Sequence, residues 1–358
     1  VIKTAVLGGT VMAALLVAGA GVAMAQTAGA AAPATTPSIR VGTTIFADYT
    51  LTETPKASDG TGEITANAFR VSRSYINVTG TITSKVSFRV TPDITTANSA
   101  GSLTGAQVFR LKYAYVNLAV TDQTSVRMGM QQTPMIDGQE SVYRYRFQGT
   151  SFVERDGGLV SSDVGISMRT GLGTYGDVHV GVYNGEGYTR PEANDQKALM
   201  ARVTVRPAPT HAIAKGLRLI GFVQADEYVN GAPRQRAAMS AMFEHARFNA
   251  GVDYIRRTDQ PTLAAARVTG QGVSAFVNPF FKSKGDGLEG LLRIDRFEPD
   301  RDLNASWRRL IAGLAYWVPT SSRATVAVLA NLEQVTYSNF STTRPTERRF
   351  GLFALVNY

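Results

Sequence analysis

Arginine and lysine recur on single strand faces along this chain: Lys85 with Arg89, Arg110 with Lys112, Arg202 with Arg206, and Arg127 and Arg169 within similar alternation. Strand residues two or four apart point the same way, so such cations build a wall that attracts anions. Ser167, Asp177 and His179 suggest different chemistry. Asp177 and His179 share a face, and a hairpin symmetric about Leu172 would set Ser167 opposite Asp177 and beside His179. Hydroxyl, imidazole and carboxylate within reach are the parts of a nucleophilic site, although no oxyanion donor is identifiable. Gly171-x-Gly173-x-x-Gly176 matches a dinucleotide fingerprint in spacing but joins two strands and opens no helix, so it reads as a turn. Cysteine is absent and there are three histidines, which argues against thiolate and His-rich metal centres, and no cofactor is expected. His211 and His245 stand alone and read as structural or solvent-facing.

Charged residues are only 18% of the 358, and the 37 basic residues against 28 acidic ones are spread evenly rather than gathered for nucleic acid. Residues 1–25 carry Lys3, an apolar run from Ala5 to Ala20 and an Ala23-Met24-Ala25 end, the pattern of a signal peptide cleaved after Ala25. A membrane-anchoring helix would share the apolar run but not the small-residue end. Residues 26–37, rich in Ala, Thr and Pro, read as a flexible leader, and 38–358 as one exported domain.

Beyond the leader no apolar run reaches helix-spanning length; instead apolar and polar residues alternate. Lys85-Val86-Ser87-Phe88-Arg89-Val90-Thr91 is one example and Ser125-Val126-Arg127-Met128-Gly129-Met130-Gln131 another. Sixteen such segments fall near 39–50, 67–80, 82–94, 106–120, 123–133, 158–170, 174–183, 197–206, 216–227, 236–246, 248–257, 269–280, 286–297, 305–318, 322–337 and 347–358. A soluble sandwich also alternates. The number of strands, however, and the rhythm of long and short connections, broken only at 207–215, predict an all-β fold: a transmembrane antiparallel β-barrel of about sixteen strands. A barrel that wide keeps an aqueous channel.

If Val86, Phe88 and Val90 face lipid, Lys85, Arg89, Arg110, Lys112 and Arg127 face the lumen, five cations without an acid over three strands. Arg169, Arg202 and Arg206 follow, accompanied by Asp163 and Asp177. Tyr113, Tyr115, Tyr183, Tyr254, Tyr316, Trp317 and Tyr337, near strand ends, suit interfacial girdles. Phe350, Leu352, Ala354, Val356 and Tyr358 alternate along the last strand. That ending resembles the assembly signal of Gram-negative outer-membrane barrels, with Tyr358 its aromatic residue and the assembly machinery the implied partner.

Several stretches resemble the phosphate-selective porin O and P family, in order along nearly the whole mature chain. They are Phe69-Arg70-Val71-Ser72-Arg73 through Gly80, Val126 to Pro134, Tyr183-Asn184-Gly185-Glu186-Gly187, Gly287 to Asp295, and Leu310 to Tyr316. The resemblance implies a sixteen-stranded outer-membrane porin, usually a homotrimer in lipid, passing small anions such as phosphate or chloride. It also implies that the long third external loop, at 134–157, folds into the lumen as a constriction. That loop carries Asp137, Glu140, Arg144, Arg146, Glu154, Arg155 and Asp156: three arginines against four carboxylates, a formal −1. An acidic loop facing a basic wall suits a general diffusion pore, while its guanidinium forks suit phosphate, so weak selectivity and specific phosphate or polyphosphate binding both stand. Two further alternatives are a barrel hydrolase, which would depend on Ser167 and His179, and a closed structural barrel that conducts nothing.

Overall fold

The computed structural model describes residues 36–97, 103–320 and 324–358. The signal peptide and most of the leader lie outside the described residues. Sixteen strands form one closed antiparallel barrel in which each pairs with its sequence neighbours and the last closes on the first. They are β1 Ser38–Thr54, β2 Ile64–Thr81, β3 Val86–Thr96, β4 Gln107–Ala119, β5 Thr124–Gln132, β6 Ser162–Gly171, β7 Gly176–Tyr183 and β8 Ala198–Val205. The second half is β9 Leu217–Val229, β10 Ala232–Glu244, β11 Phe248–Asp259, β12 Val268–Pro279, β13 Gly287–Asp300, β14 Ala305–Val318, β15 Thr325–Ser338 and β16 Glu347–Asn357. Two helices, α1 Pro134–Tyr143 and α2 Phe152–Arg155, lie in the connection after β5, called L3 below.

Exposure is the reverse of that in a water-soluble sandwich. On β14, Leu310, Leu314 and Tyr316 face out, while Ile311, Ala315 and Trp317 are buried inward. Val116, Leu118, Met128, Val223, Val252 and Leu292 are likewise outward and exposed on other strands. An apolar outside around a polar inside fits hydrocarbon, where a closed barrel pairs its backbone groups without leaving an edge. The buried apolar cluster lies within the barrel, where Met135, Ile136, Val142, Phe152 and Val153 of L3 meet Ile255, Phe297 and Ile311 of the wall.

Two bulges correct the simple parity. The β1–β2 register shifts between Phe46 and Ala47, leaving Ser72 as the extra residue, so Arg70 and Arg73 face the same way although three positions apart. The β3–β4 register shifts between Thr91 and Pro92, so the extra residue is Lys112, and Lys112 and Tyr113 are both buried inward. The 228–235 segment, expected as a long loop, is a tight hairpin at Asn230-Gly231, with Gly231 at φ +84. The girdle expectation fails for most of its residues. Tyr113, Tyr183 and Trp317 are buried inside, Tyr115 lies beneath Arg127, and Tyr337 donates to Glu347 at 2.5 Å. Tyr316 does face out, half exposed, and Tyr254 lies on the outward face of β11.

Leu292 sits near the middle of β13 on the outer face. Leu292→Arg is expected to destabilise the barrel by ~2–4 kcal/mol in urea-controlled folding into lipid vesicles, the cost of a midplane cation facing lipid.

Candidate functional site

L3 leaves the wall at Thr133, whose hydroxyl donates to the Val160 carbonyl and whose backbone N–H donates to Ser161 at 3.3 Å, drawing the loop ends together. Pro134 begins α1, where a missing backbone donor costs nothing. The helix lies against β8 to β11. Buried wall side chains hold its end: Asn249 donates to the Val142 carbonyl at 2.9 Å and Asn278 to the Tyr143 carbonyl at 3.1 Å. Arg293, gripped by Asp295 at 2.7 and 2.8 Å, donates to the Tyr143 hydroxyl and the Thr150 carbonyl, both at 3.0 Å. Tyr145 and Phe147 pack edge-on against Trp317, and Phe147 against Phe46. Arg309 then pairs with Asp156 at 2.6 Å, and Arg155 with Glu333 at 3.2 Å.

L3 thus fills the lumen beside β8 to β15 and leaves open the side walled by β1 to β5 and β16. A cavity of about 380 Å³ separates Arg146 and Phe147 of L3 from Arg70, Arg73, Arg110 and Arg349 of that wall. Every guanidinium there has a carboxylate. Arg70 pairs with Asp48 at 2.8 Å, Arg73 and Arg110 share Asp93 at 2.8 Å each, and Arg349 holds Glu333. Arg146 holds Glu140 at 2.8 Å and Glu154 at 2.9 Å.

Toward the short-turn end the balance changes. A cavity of about 410 Å³ is lined by Arg40, Arg89 and Arg127 together with serines, threonines and Asn117, and by no carboxylate among the described residues. Arg89 donates to Asn77 at 2.8 Å and Thr91 at 3.0 Å and lies 4.4 Å over the Tyr113 ring. Arg127 donates to Asn117 at 3.2 Å and lies 5.2 Å over Tyr115. A third cavity, about 540 Å³ at the mouth, collects Arg169, Arg206 and Lys215 with Asp122 and Asp177.

The predicted wall residues therefore separate. Arg89, Arg110, Arg127 and Arg169 face open space, Arg206 follows β8 at the mouth, and Lys85 is exposed in the β2–β3 turn. Lys112 is buried beneath L3, its ammonium donating to the Ser161 hydroxyl and lying 3.9 Å from the Tyr188 ring centre, and Arg202 is buried between Asp177 and the Pro134 carbonyl. The three strands are not free of acid: Asp93, which has the parity of Arg89, sits fully buried between Arg73 and Arg110. Arg70, Arg73 and Arg349 were missed as wall residues; strict alternation hides the first two until the Ser72 bulge is known. In L3, Arg144 points into the wall at Glu289 and Trp317, and Arg155 at Glu333. Asp137 faces Arg169 at 3.4 Å and Arg202 at 3.8 Å. Burial pushes the Glu140 carboxyl above its ordinary range; Arg146 opposes that shift, while nearby Glu154 and Asp137 add to it.

The nucleophilic arrangement does not form. The hairpin register sets Ser167 opposite Gly181 and Arg169 opposite His179. Ser167 Oγ lies 3.1 Å from His179 Nε2 but donates to Gln131 at 2.6 Å. Asp177 is occupied by Arg169 and Arg202, and His179 Nδ1 has no partner among the described residues. Gly173 lies in the turn at φ +62, and Gly176, at φ +143, opens β7. His211 accepts two backbone N–H groups in its own loop, and His245 stacks on Phe243.

A closed sixteen-stranded barrel, apolar outside and narrowed inside by a long loop, defines a porin. The description of phosphate-selective porin O and P matches residues 40–233, and the chain belongs to that family. It is similar in fold to outer-membrane OmpT of Vibrio cholerae, at 12% identity and TM-score 0.62, covering 90% of this chain and 98% of that one. An anion-selective porin from Comamonas acidovorans is similar at 12% identity and TM-score 0.60, covering 90% and 99%. Salmonella typhi OmpF gives 12% identity and TM-score 0.61, covering 88% and 97%. No curated protein sequence matches the chain. The protein is an outer-membrane channel for passive diffusion and not an enzyme.

Protonating Glu140 removes one negative charge from the constriction, and burial raises its pKa from the ordinary carboxylate value. Acidification should therefore shift the reversal potential toward anions, and Glu140→Gln should flatten that shift. Glu333→Gln, which leaves Arg155, Arg309 and Arg349 short of a partner, is expected to cost about 2–3 kcal/mol, below the fully buried range because the lumen is wet. Thermal unfolding checks the cost, and open-channel current noise reports the loosened loop.

Proposed function

We propose that this porin passes small anions in preference to cations. The observation that carries the reading is the cavity where Arg40, Arg89 and Arg127 meet without a carboxylate. Where arginines and acids cancel, a pore has little preference; where three guanidinium groups stand alone, an anion is stabilised and a cation repelled. The outer constriction then acts mainly as a size filter, and the inner half as the charge filter. The similar Comamonas acidovorans protein is described as anion-selective, which supports the reading. We further infer a homotrimer, since one OmpT structure of similar fold is a trimer form and β1, β2 and β4 carry exposed Val41, Phe69 and Phe109 outside.

A second reading, capture of phosphate or polyphosphate, is favoured by one detail. Arg89 and Arg127 are stacked over tyrosine rings, which holds planar forks in fixed directions. The reversal potential in a planar bilayer under a KCl gradient separates these readings. Anion selectivity is expected, falling about twofold for each of Arg89→Gln and Arg127→Gln, the effect of a unit charge ~10 Å away in water. Block of chloride current by millimolar phosphate supports capture, and indifference to phosphate leaves simple anion diffusion. A cation-selective potential would sink both.

A further inference from the structure

An arginine on a barrel strand that faces lipid is costly near the midplane and tolerated only near the rim. Among the described residues of the sixteen strands, four arginines face outward: Arg256, Arg296, Arg308 and Arg348. All four lie within a few residues of the long-loop ends of β11, β13, β14 and β16, and so on one sector of the external rim. Chance scatter would place some at the other rim or around the rest of the barrel.

Two of them are directly opposed. Arg296 is the cross-strand partner of Arg308, and Thr336 follows Arg308 in register. Like charges in that position repel unless something anionic lies between them. Glu298 partly answers Arg296 at 3.0 Å but also accepts from Gln271 at 3.0 Å, and Arg308 has no ion pair among the described residues. Farther along the same rim, Arg348 stands opposite Glu53 in register. Below the opposed pair runs an outer groove of about 630 Å³, with Val273 and Ile294 in its floor and Thr336 and Asn339 near its polar end. Cations and hydroxyls at the rim, above an apolar trough pointing into the bilayer, complement an amphiphile and not a free ion.

We propose that this groove binds a phosphorylated glycolipid of the outer leaflet, with a phosphate between Arg296 and Arg308 and an acyl chain along the Val273 and Ile294 floor. The site lies on the outside of the wall, away from the pore. Its occupant neutralises a repulsion that the protein alone leaves in place, which ties this sector of the barrel to the leaflet that carries such lipids.

Native mass spectrometry of the folded porin in detergent tests this with diphosphorylated lipid A and its dephosphorylated form. The diphosphorylated lipid should be retained and the dephosphorylated one lost. R296Q/R308Q should weaken retention roughly 30-fold, as expected for two interfacial cations, while conductance in a phospholipid bilayer stays unchanged. R308K should keep most of the binding. Should the double variant fail to fold, R308Q alone gives the same reading, with a loss of about fivefold. Equal retention of both lipids, or unchanged binding in the variants, would overturn the proposal. So would displacement of the lipid by equimolar inorganic phosphate, which would assign the arginines to the free anion.

Discussion

No backbone donor or acceptor can face hydrocarbon unpaired, and everything in this barrel follows from that constraint. It forces the sheet to close, so β16 must find β1. Closure fixes the register, and register fixes which side chains look inward. The charges of the lumen are therefore placed by the backbone before any solute is considered. Where the ladder slips, at Ser72 and at Lys112, the slip brings an additional residue into the lumen. The arginine-rich opening exists because of it: without the Ser72 bulge, Arg70 and Arg73 would point to opposite faces.

The lumen is divided into a filled side and an open side. On the filled side L3 behaves like the core of a soluble protein, with buried aromatics, paired charges and wall side chains capping its carbonyls. Tyr143 is held from three directions: by a carbonyl contact, a hydroxyl contact and the edge of Phe276. On the open side the charges are arranged along the pore. They are cancelled pair by pair near the loop, and three arginines stand without acids farther in. Because a partner carboxylate is only a few ångströms away in one zone and absent in the other, the field changes over a short axial distance without any moving part.

Much of this was legible in the sequence, and the failures have physical causes. Regular strands read well: the parity that sent Arg89, Arg110 and Arg127 inward needed only alternation. The aromatic residues misled because a Tyr or Trp near a strand end suits both a membrane girdle and a cation-stacking site. Tyr113 and Trp317 took the second role. The β9–β10 connection misled because Asn230, Gly231, Pro233 and Arg234 together look like loop. Only Asn230 and Gly231 make the turn, and Arg234 is a strand residue turned toward a polar lumen. The anchoring of L3 by Arg293 and Glu333 was out of reach, since nothing local links residues ~150 positions apart.

That separation also bears on the order of folding. L3 lies between the fifth and sixth strands, but Asn278, Arg293, Arg309 and Glu333, which hold it, come from the twelfth strand onward. Until those strands have been added, most of the loop's polar anchors do not exist. Loop seating and the meeting of first and last strands are thus both late, long-range events with a large closure entropy. The constriction therefore depends on contacts that the wall cannot supply until its later strands are in place.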